Sequence, residues 1–312
     1  MRPAAENFAP FFIQSGTPAR PIRLRAARFE AQGARAVCVL LAGQTEFIEK
    51  YFEVIDELVV RGFCVVTMDW RGQGGSDRIL ADPRKAHIEN FSQYDEDLDA
   101  LMSQVVQPMR AAGKAVALAH SMGGHILLRR LHDRRDEFQA VTLCAPMIGI
   151  QPRGVPWWMV ELVTKSLNRA GPSEDFVWGM AARDQLKLPF SMQIVTSDPA
   201  RYRRTQLRLA ANPELRLNGP TWGWLAAALK SIMQLHAPGY AEAIHTPALV
   251  FGAGHDRVCN TAALTAFVSR MPNAQCRVIA GAGHELLMER DIYRDQVWDG
   301  FDRFMDEKMP RP

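Results

Sequence analysis

Three residues of this chain combine a suitable chemical type with a position from which they could act together. They are Ser121 in ALAHSMGGHIL, Asp256 in FGAGHDRVC and His284 in IAGAGHELLME. An alkyl hydroxyl is too weak a nucleophile near neutral pH, so a serine needs a base, and the base needs an orienting acid. The residues two before and two after Ser121 are Ala119 and Gly123. Both are small, as a sharp turn at a strand–helix junction requires. Alone, this string is also compatible with a serine that caps the next helix. Asp256 alone could cap a turn, and His284 could be a loop histidine. Together they follow the order Ser, acid, His, with the acid and the base each preceded by Gly-Ala-Gly (252–254 and 281–283).

Acyl transfer also needs donors for the tetrahedral oxygen. One is expected at the backbone N–H of Met122, directly after the nucleophile. The other is expected at Gln44, after Gly43 in LLAGQTEF (40–47). His120, His125 and His255 read as packing or surface residues, and Cys259 receives no role. The eight histidines are dispersed without metal-ligand spacing, so neither a metal nor a cofactor is expected.

The elements that must carry these residues are legible from hydrophobic patterning. IRLRAARF (22–29) alternates like a half-exposed strand. ARAVCVLLA (34–42), FCVVTMD (63–69), KAVALAH (114–120), AVTLCAP (140–146), PALVFGAG (247–254) and QCRVIAGAG (275–283) read as buried strands. Between them, 46–62, 92–107, 123–134, 261–271 and 291–308 carry helical spacing. This predicts a mostly parallel sheet flanked by helices, with each proposed site residue near a strand's carboxyl end. The pattern breaks over 147–240, after the strand ending near Pro146. The expected organisation is an α/β core from 1–146 and 241–312, with 147–240 inserted as a helical cap.

Five of the seven tryptophans fall in that insertion: Trp157, Trp158, Trp178, Trp222 and Trp224. With Phe176, and with Trp70 outside it, these rings suggest an apolar pocket for an acyl chain. Trp70, Trp157, Trp158, Phe176 and Trp178 are the candidate pocket residues. The bland alternative is that they pack the insertion against the core. VPWWMVELV (155–163) also offers rings for contact with a membrane surface.

Composition narrows the classes. Across 312 residues, 47% are hydrophobic and 23% charged, and the formal net charge is +3. A chain of this size needs no disulfide or metal staple. The basic residues form no block that would track phosphates, so nucleic-acid binding is not expected. MRPAAENFAPFFIQSG lacks a secretory apolar stretch. The five cysteines have no C-x-x-C spacing. A cytoplasmic enzyme is expected, peripheral to a membrane at most.

With these residues in view, the chain resembles the monoacylglycerol lipase and bacterial lysophospholipase group of the α/β-hydrolase superfamily. LLAGQTEFIEKY is similar to that group's first loop, and MDWRGQGGSD (68–77) to its Asp-x-Arg-Gly-x-Gly-x-Ser segment. AHSMGG, GHDRVC and GAGHELLME resemble its nucleophile, acid and base segments, and PTWGWLAAAL (220–229) resembles the bacterial branch's insertion. The resemblance covers about residues 20–305. It implies an α/β-hydrolase fold, Ser121, Asp256 and His284 as the triad, and Gln44 and Met122 as oxyanion donors. It also implies hydrolysis of carboxylic esters bearing an acyl chain, of monoacylglycerol or lysophospholipid type. Ala42 stands where the group has His, and Ala119 where the elbow has its first Gly. The Asp69–Arg71 segment reads as a structural turn. The competing readings are a short-chain carboxylesterase and a non-catalytic binding protein on the same fold. A dehalogenase would need Asp at position 121.

Overall fold

The structure is a computed structural model that describes residues 3–110, 115–134, 136–151, 172–181 and 184–309. Eight strands form the main sheet: β1 Phe11–Thr17, β2 Arg20–Phe29, β3 Ala36–Leu41, β4 Phe63–Met68, β6 Ala115–His120, β7 Phe138–Cys144, β9 Ala248–Ala253 and β10 Ala274–Ile279. Their spatial order is β1-β2-β4-β3-β6-β7-β9-β10. β1 and β2 form an antiparallel hairpin, and β2 pairs antiparallel with β4. From β4 to β10 every pairing is parallel. The two-residue strands β5 Lys85–Ala86 and β8 Gly219–Pro220 pair with each other apart from this sheet.

Side chains alternate across the central strands because successive residues point to opposite faces. Val39 and Leu41 join one core while Cys38 and Leu40 join the other. The first core is covered by α2 Ser92–Leu101, by α4 Ser121–Asp133 and by later helices. α2 runs on through a π turn, Met102–Val106, into the short α3 Gln107–Met109. The second core is covered by α1 Phe52–Val60 and by a C-terminal helix whose bounds, Asp291–Lys308, coincide with the expected ones.

Two differences from the expected elements have physical causes. The single helix expected over 46–62 begins with a tighter 3-10 turn, Ile48–Tyr51, before α1. The charged Glu46 and Lys50 are turned inward there instead of lying on a solvated face. β1 was not anticipated, because only Ile13 and Ser15 of its seven residues are buried.

The 147–240 span is not uniform. It contains α5 Pro199–Ala211, capped by the Asp198 carboxylate, and α6 Trp222–Leu235, capped by Thr221. α6 belongs to the main hydrophobic core. Its Trp224 indole donates to Tyr94 Oη at 3.1 Å, and its Ser231 hydroxyl meets His125 Nε2 at 2.7 Å. The remaining helices are α7 Thr261–Val268 and α8, the C-terminal one.

Candidate active site

Ser121 is the first residue of α4 and follows the last residue of β6. Its φ is +50°, in the left-handed region that non-glycine residues rarely adopt. Strain of this kind persists only where the surroundings enforce it. Here the start of α4 is packed so tightly against the end of β3 that a Cβ on Gly123 would lie 2.5 Å from the Ala42 carbonyl oxygen. A Cβ on Gly124 would lie 2.9 Å from Pro146. Glycine is therefore required on the helix side of the turn, while Ala119 is accepted on the strand side, fully buried.

The three residues singled out by order and spacing meet in space. His284 Nε2 lies 2.9 Å from Ser121 Oγ, and His284 Nδ1 lies 2.8 Å from Asp256 Oδ2. An ionised carboxylate only accepts, so Nδ1 carries the proton and Nε2 is free to accept from the serine hydroxyl. The second oxygen of Asp256 accepts from the N–H groups of Val258 and Cys259, both at 2.8 Å. Burial pushes this carboxyl upward, but the bond to His284 and the two amides outweigh it. Asp256 is held below the usual carboxylate range. The acid and base loops are tied together by the His255 N–H, which donates to the Ala282 carbonyl at 2.8 Å.

The loop after β3 closes against the nucleophile. A Cβ on Gly43 would come within 3.1 Å of Ser121 Cβ and 3.0 Å of His120 Nδ1. Among the described residues the Gln44 N–H has no hydrogen-bond partner, and the Met122 N–H is in the first turn of α4, where no intrahelical acceptor exists. Both are therefore available to an oxyanion. Two side chains brace this loop. Buried Gln73 accepts from the Thr45 N–H at 2.8 Å and donates to the Gly43 carbonyl at 3.3 Å. Buried Glu46 accepts from the Gly43 N–H and from Tyr51 Oη. Neither brace was singled out from the sequence. The repeated Gly and Gln of WRGQGGSD are its only trace there.

A cleft of about 140 Å³ opens beside the site, with Gln44 and Glu285 in its lining. Its apolar wall includes Met180, Leu188, Ile194, Val195 and Leu209, and Gln185, Gln193 and Gln206 supply polar groups. The Gln44 side-chain amide nitrogen is buried without a partner.

The expected aromatic lining is largely elsewhere. Trp70 does not line the cleft. It is fully buried beneath the oxyanion loop, where its indole donates to the Ala42 carbonyl at 2.9 Å and packs edge-on against Tyr94. Phe176 bridges to Thr221 and lies under Lys85 Nζ, and Trp178 is exposed and packs edge-on against Trp222. Neither is among the described residues of the cleft wall. Trp157 and Trp158 lie outside the described residues.

The other polar residues divide as follows. Asp69 is a structural brace: it accepts from Arg25, the Ile48 N–H and the Gly75 N–H, and burial pushes its carboxyl up to about 6. Arg71 is paired with buried Asp97 at 2.7 Å. His125 is a buried structural residue that bonds the Met147 carbonyl and the Ser231 hydroxyl away from the site, whereas the His120 ring contacts Glu46 and the backbone of His284 beside it. Asp256, Cys259 and His284 offer ligand atoms within 4.8 Å of one another. The Asp256–His284 hydrogen bond already engages two of them, and burial pushes the Cys259 thiol well above its usual range. That donor set suits proton relay better than metal binding.

Residues 32–291 match a family model described as serine aminopeptidase, S33. The chain is 36% identical over 284 residues to lysophospholipase L2 of Escherichia coli (strain K12), covering 88% of this chain and 81% of that one. Its fold is similar to that of a soluble variant of monoglyceride lipase from Saccharomyces cerevisiae, with TM-score 0.73, 16% identity and 97% of each chain covered. It is also similar to that of a thermostable carboxyl esterase from Bacillus coagulans, with TM-score 0.75, 19% identity, and 96% of this chain and 98% of that one covered. The family match spans most of the chain, so the chain belongs to this family of α/β-hydrolases.

Proposed function

We propose that this protein is a serine ester hydrolase that removes the acyl chain from single-chain lipid esters of the lysophospholipid type. The observation that carries the reading is the hydrogen-bonded line Asp256–His284–Ser121 beside an amphiphilic cleft. Its lipid specificity is supported by the likeness to lysophospholipase L2.

Ser121 Oγ attacks the acyl carbonyl as its proton passes to His284 Nε2. Asp256 stabilises the imidazolium without taking the proton. The tetrahedral oxygen accepts from the N–H groups of Met122 and Gln44. Collapse expels the alcohol, which leaves with the proton from His284. Water then adds to the acyl-enzyme with His284 as base, releasing the carboxylic acid and restoring Ser121.

Within the span 147–240, Met180 and residues between Gln185 and Leu209 line one wall of the cleft, which supports reading this part of the chain as a cap. Exposed Met192 (66%) and Leu207 (53%) here, with the nearby Trp178 (73%) and exposed Arg203 and Arg204, suit contact with a lipid aggregate. Among the described residues, no helix is long and apolar enough to cross a membrane.

An aminopeptidase, the activity in the family model's description, would need an acid to hold a free α-amino group. Among the described residues lining the cleft the only carboxylate is Glu285, and it is already paired with Lys50 at 2.6 Å. This favours esters.

The test is a panel of p-nitrophenyl esters of rising chain length, with lysophosphatidylcholine, monoacylglycerol and aminoacyl p-nitroanilides. Turnover of long-chain esters and the lysolipid, abolished in Ser121→Ala, is expected. Turnover confined to acetyl and butyryl esters would replace the lipid reading with a small-ester one.

A further inference from the structure

Five ionisable side chains lie buried behind the triad, and the mechanism above uses none of them. They are Glu46, Lys50, Tyr51, His120 and Glu285. Four are fully or nearly fully buried, and Glu285 is largely so. Glu46 is at their centre. One of its oxygens accepts from Lys50 Nζ at 2.8 Å. The other accepts from Tyr51 Oη at 2.6 Å and from the Gly43 N–H, and it lies 3.1 Å from His120 Nδ1. Lys50 Nζ also donates to Glu285 Oε1 at 2.6 Å. Lys50 Nζ and the Gly43 N–H can only donate, one to each oxygen, and the ammonium pairs with the carboxylate, so Glu46 is ionised.

His120 then has two acceptors and no donor. Nδ1 faces the Glu46 carboxylate. Nε2 lies 3.2 Å from the carbonyl oxygen of His284, which can only accept. A neutral imidazole has one N–H and would leave two lone pairs pointed at each other at one of these contacts. We propose that His120 is a buried imidazolium that donates from both ring nitrogens, and that it is a positioning residue clamping the base loop to the oxyanion loop. The activity part of this proposal rests on the hydrolase reading above.

Charge balance supports the same assignment. With His120 neutral, the buried cluster holds two carboxylates against one ammonium. With His120 protonated, the count is two against two, as an interior of low polarity demands. Burial pulls the ring downward, but the charge and hydrogen bond of Glu46, with Glu285 beyond it, outweigh this and leave it raised. Burial likewise opposes ionisation of Glu46, yet Lys50 and His120 hold that carboxyl well below its usual range.

The consequence for the site is geometric. His120 immediately precedes Ser121, so it is fixed to the nucleophile by the chain. Through Nε2 it grips the backbone of His284, and the two rings lie 4.9 Å apart between centroids. Through Glu46 it grips the N–H of Gly43, next to the oxyanion donor Gln44. One residue pair therefore sets the spacing of nucleophile, base and oxyanion loop. A misplacement of about 1 Å in such a constellation can cost about 100-fold in rate.

The test begins with the resting full-length protein labelled with 15N-histidine. At pH 7.5 the His120 ring, assigned by its proximity to Gly43 and Tyr51, should show both nitrogens protonated. In Glu46→Gln one ring nitrogen should lose its proton. His120→Phe should lower kcat on a p-nitrophenyl ester by about 10–100-fold while KM moves by less than roughly threefold. An unprotonated His120 nitrogen in the wild type overturns the imidazolium. A folded His120→Phe variant with wild-type kcat overturns the clamp. If His120→Phe does not fold, the wild-type spectrum and Glu46→Gln kinetics still decide. If the wild type turns over no ester, the hydrolase reading fails while the spectrum alone decides the protonation of His120.

Discussion

At the scale of single residues, each polar atom of Asp256 and His284 has partners of the right kind. Asp256 fixes the His284 tautomer by accepting from Nδ1 at 2.8 Å. Asp256→Asn would keep the shape but present an amide that can donate. The expected outcome is a fall in kcat of about 10⁴-fold on p-nitrophenyl butyrate, with the melting temperature little changed. Gln44 offers two separable donors, its backbone N–H and its unpartnered buried amide. Gln44→Leu retains the first, so the rate on a small activated ester should fall far less than the roughly 100-fold expected for losing an oxyanion donor. A fall of that size on p-nitrophenyl acetate would show that the side chain itself serves the oxyanion. That Ser121, Asp256 and His284 meet was legible in the sequence, because residue type, order and junction point to it. The rings of Trp70, Phe176 and Trp178 were not, because composition says that a ring is present and not which way it points.

At the scale of elements, the loop after β3 is the sensitive part. It is held by Glu46 from one side and Gln73 from the other, and it touches the nucleophile through Gly43. Gly43→Ala would place a methyl 2.8 Å from Glu46 Oε2 and 3.1 Å from Ser121 Cβ, so the loop must move. A loss of at least about 100-fold in kcat is expected, comparable to deleting an oxyanion donor. Gln73→Ala removes a brace without adding a clash, and a fall of about 10-fold, measured on the same ester, is expected. The strands and helices carrying the site were legible because central strands are continuous apolar runs and flanking helices are amphipathic, but β10, expected to be buried, is an edge strand with four of its six residues exposed. The 3-10 start at Ile48–Tyr51 was not legible. Glu46 and Lys50 look like surface charges until their distant partners, His120 and Glu285, are known.

At the scale of the whole molecule, α6 is pinned to α4 by a neutral buried histidine. His125 Nδ1 donates to the Met147 carbonyl at 2.8 Å, and Nε2 meets the Ser231 hydroxyl at 2.7 Å. Burial pulls this ring down to about 3. The unfolded chain protonates near 6.5, so the stability due to this group is complete above about pH 6.5 and is lost as pH falls toward 3. Thermal unfolding should show a melting temperature that drops between pH 7 and pH 4, with a shallower drop in His125→Gln. The cleft allows a separate test. Leu188→Trp would fill its apolar wall and should reduce turnover of long-chain esters more than that of acetyl esters.

The amino-acid order by itself determined the parallel α/β core, the place where its strand pattern breaks, and the three residues that meet as a triad. Each of these depends on local patterning or on a junction between adjacent elements. Only the tertiary structure decided which residues line the cleft, that Trp70 and α6 belong to the core, and that His120 joins Glu46 to the backbone of His284. Those facts depend on contacts between residues as far apart as 120 and 284. A buried charge is stable only with such partners, and the sequence does not disclose them until the sheet brings its strand ends together.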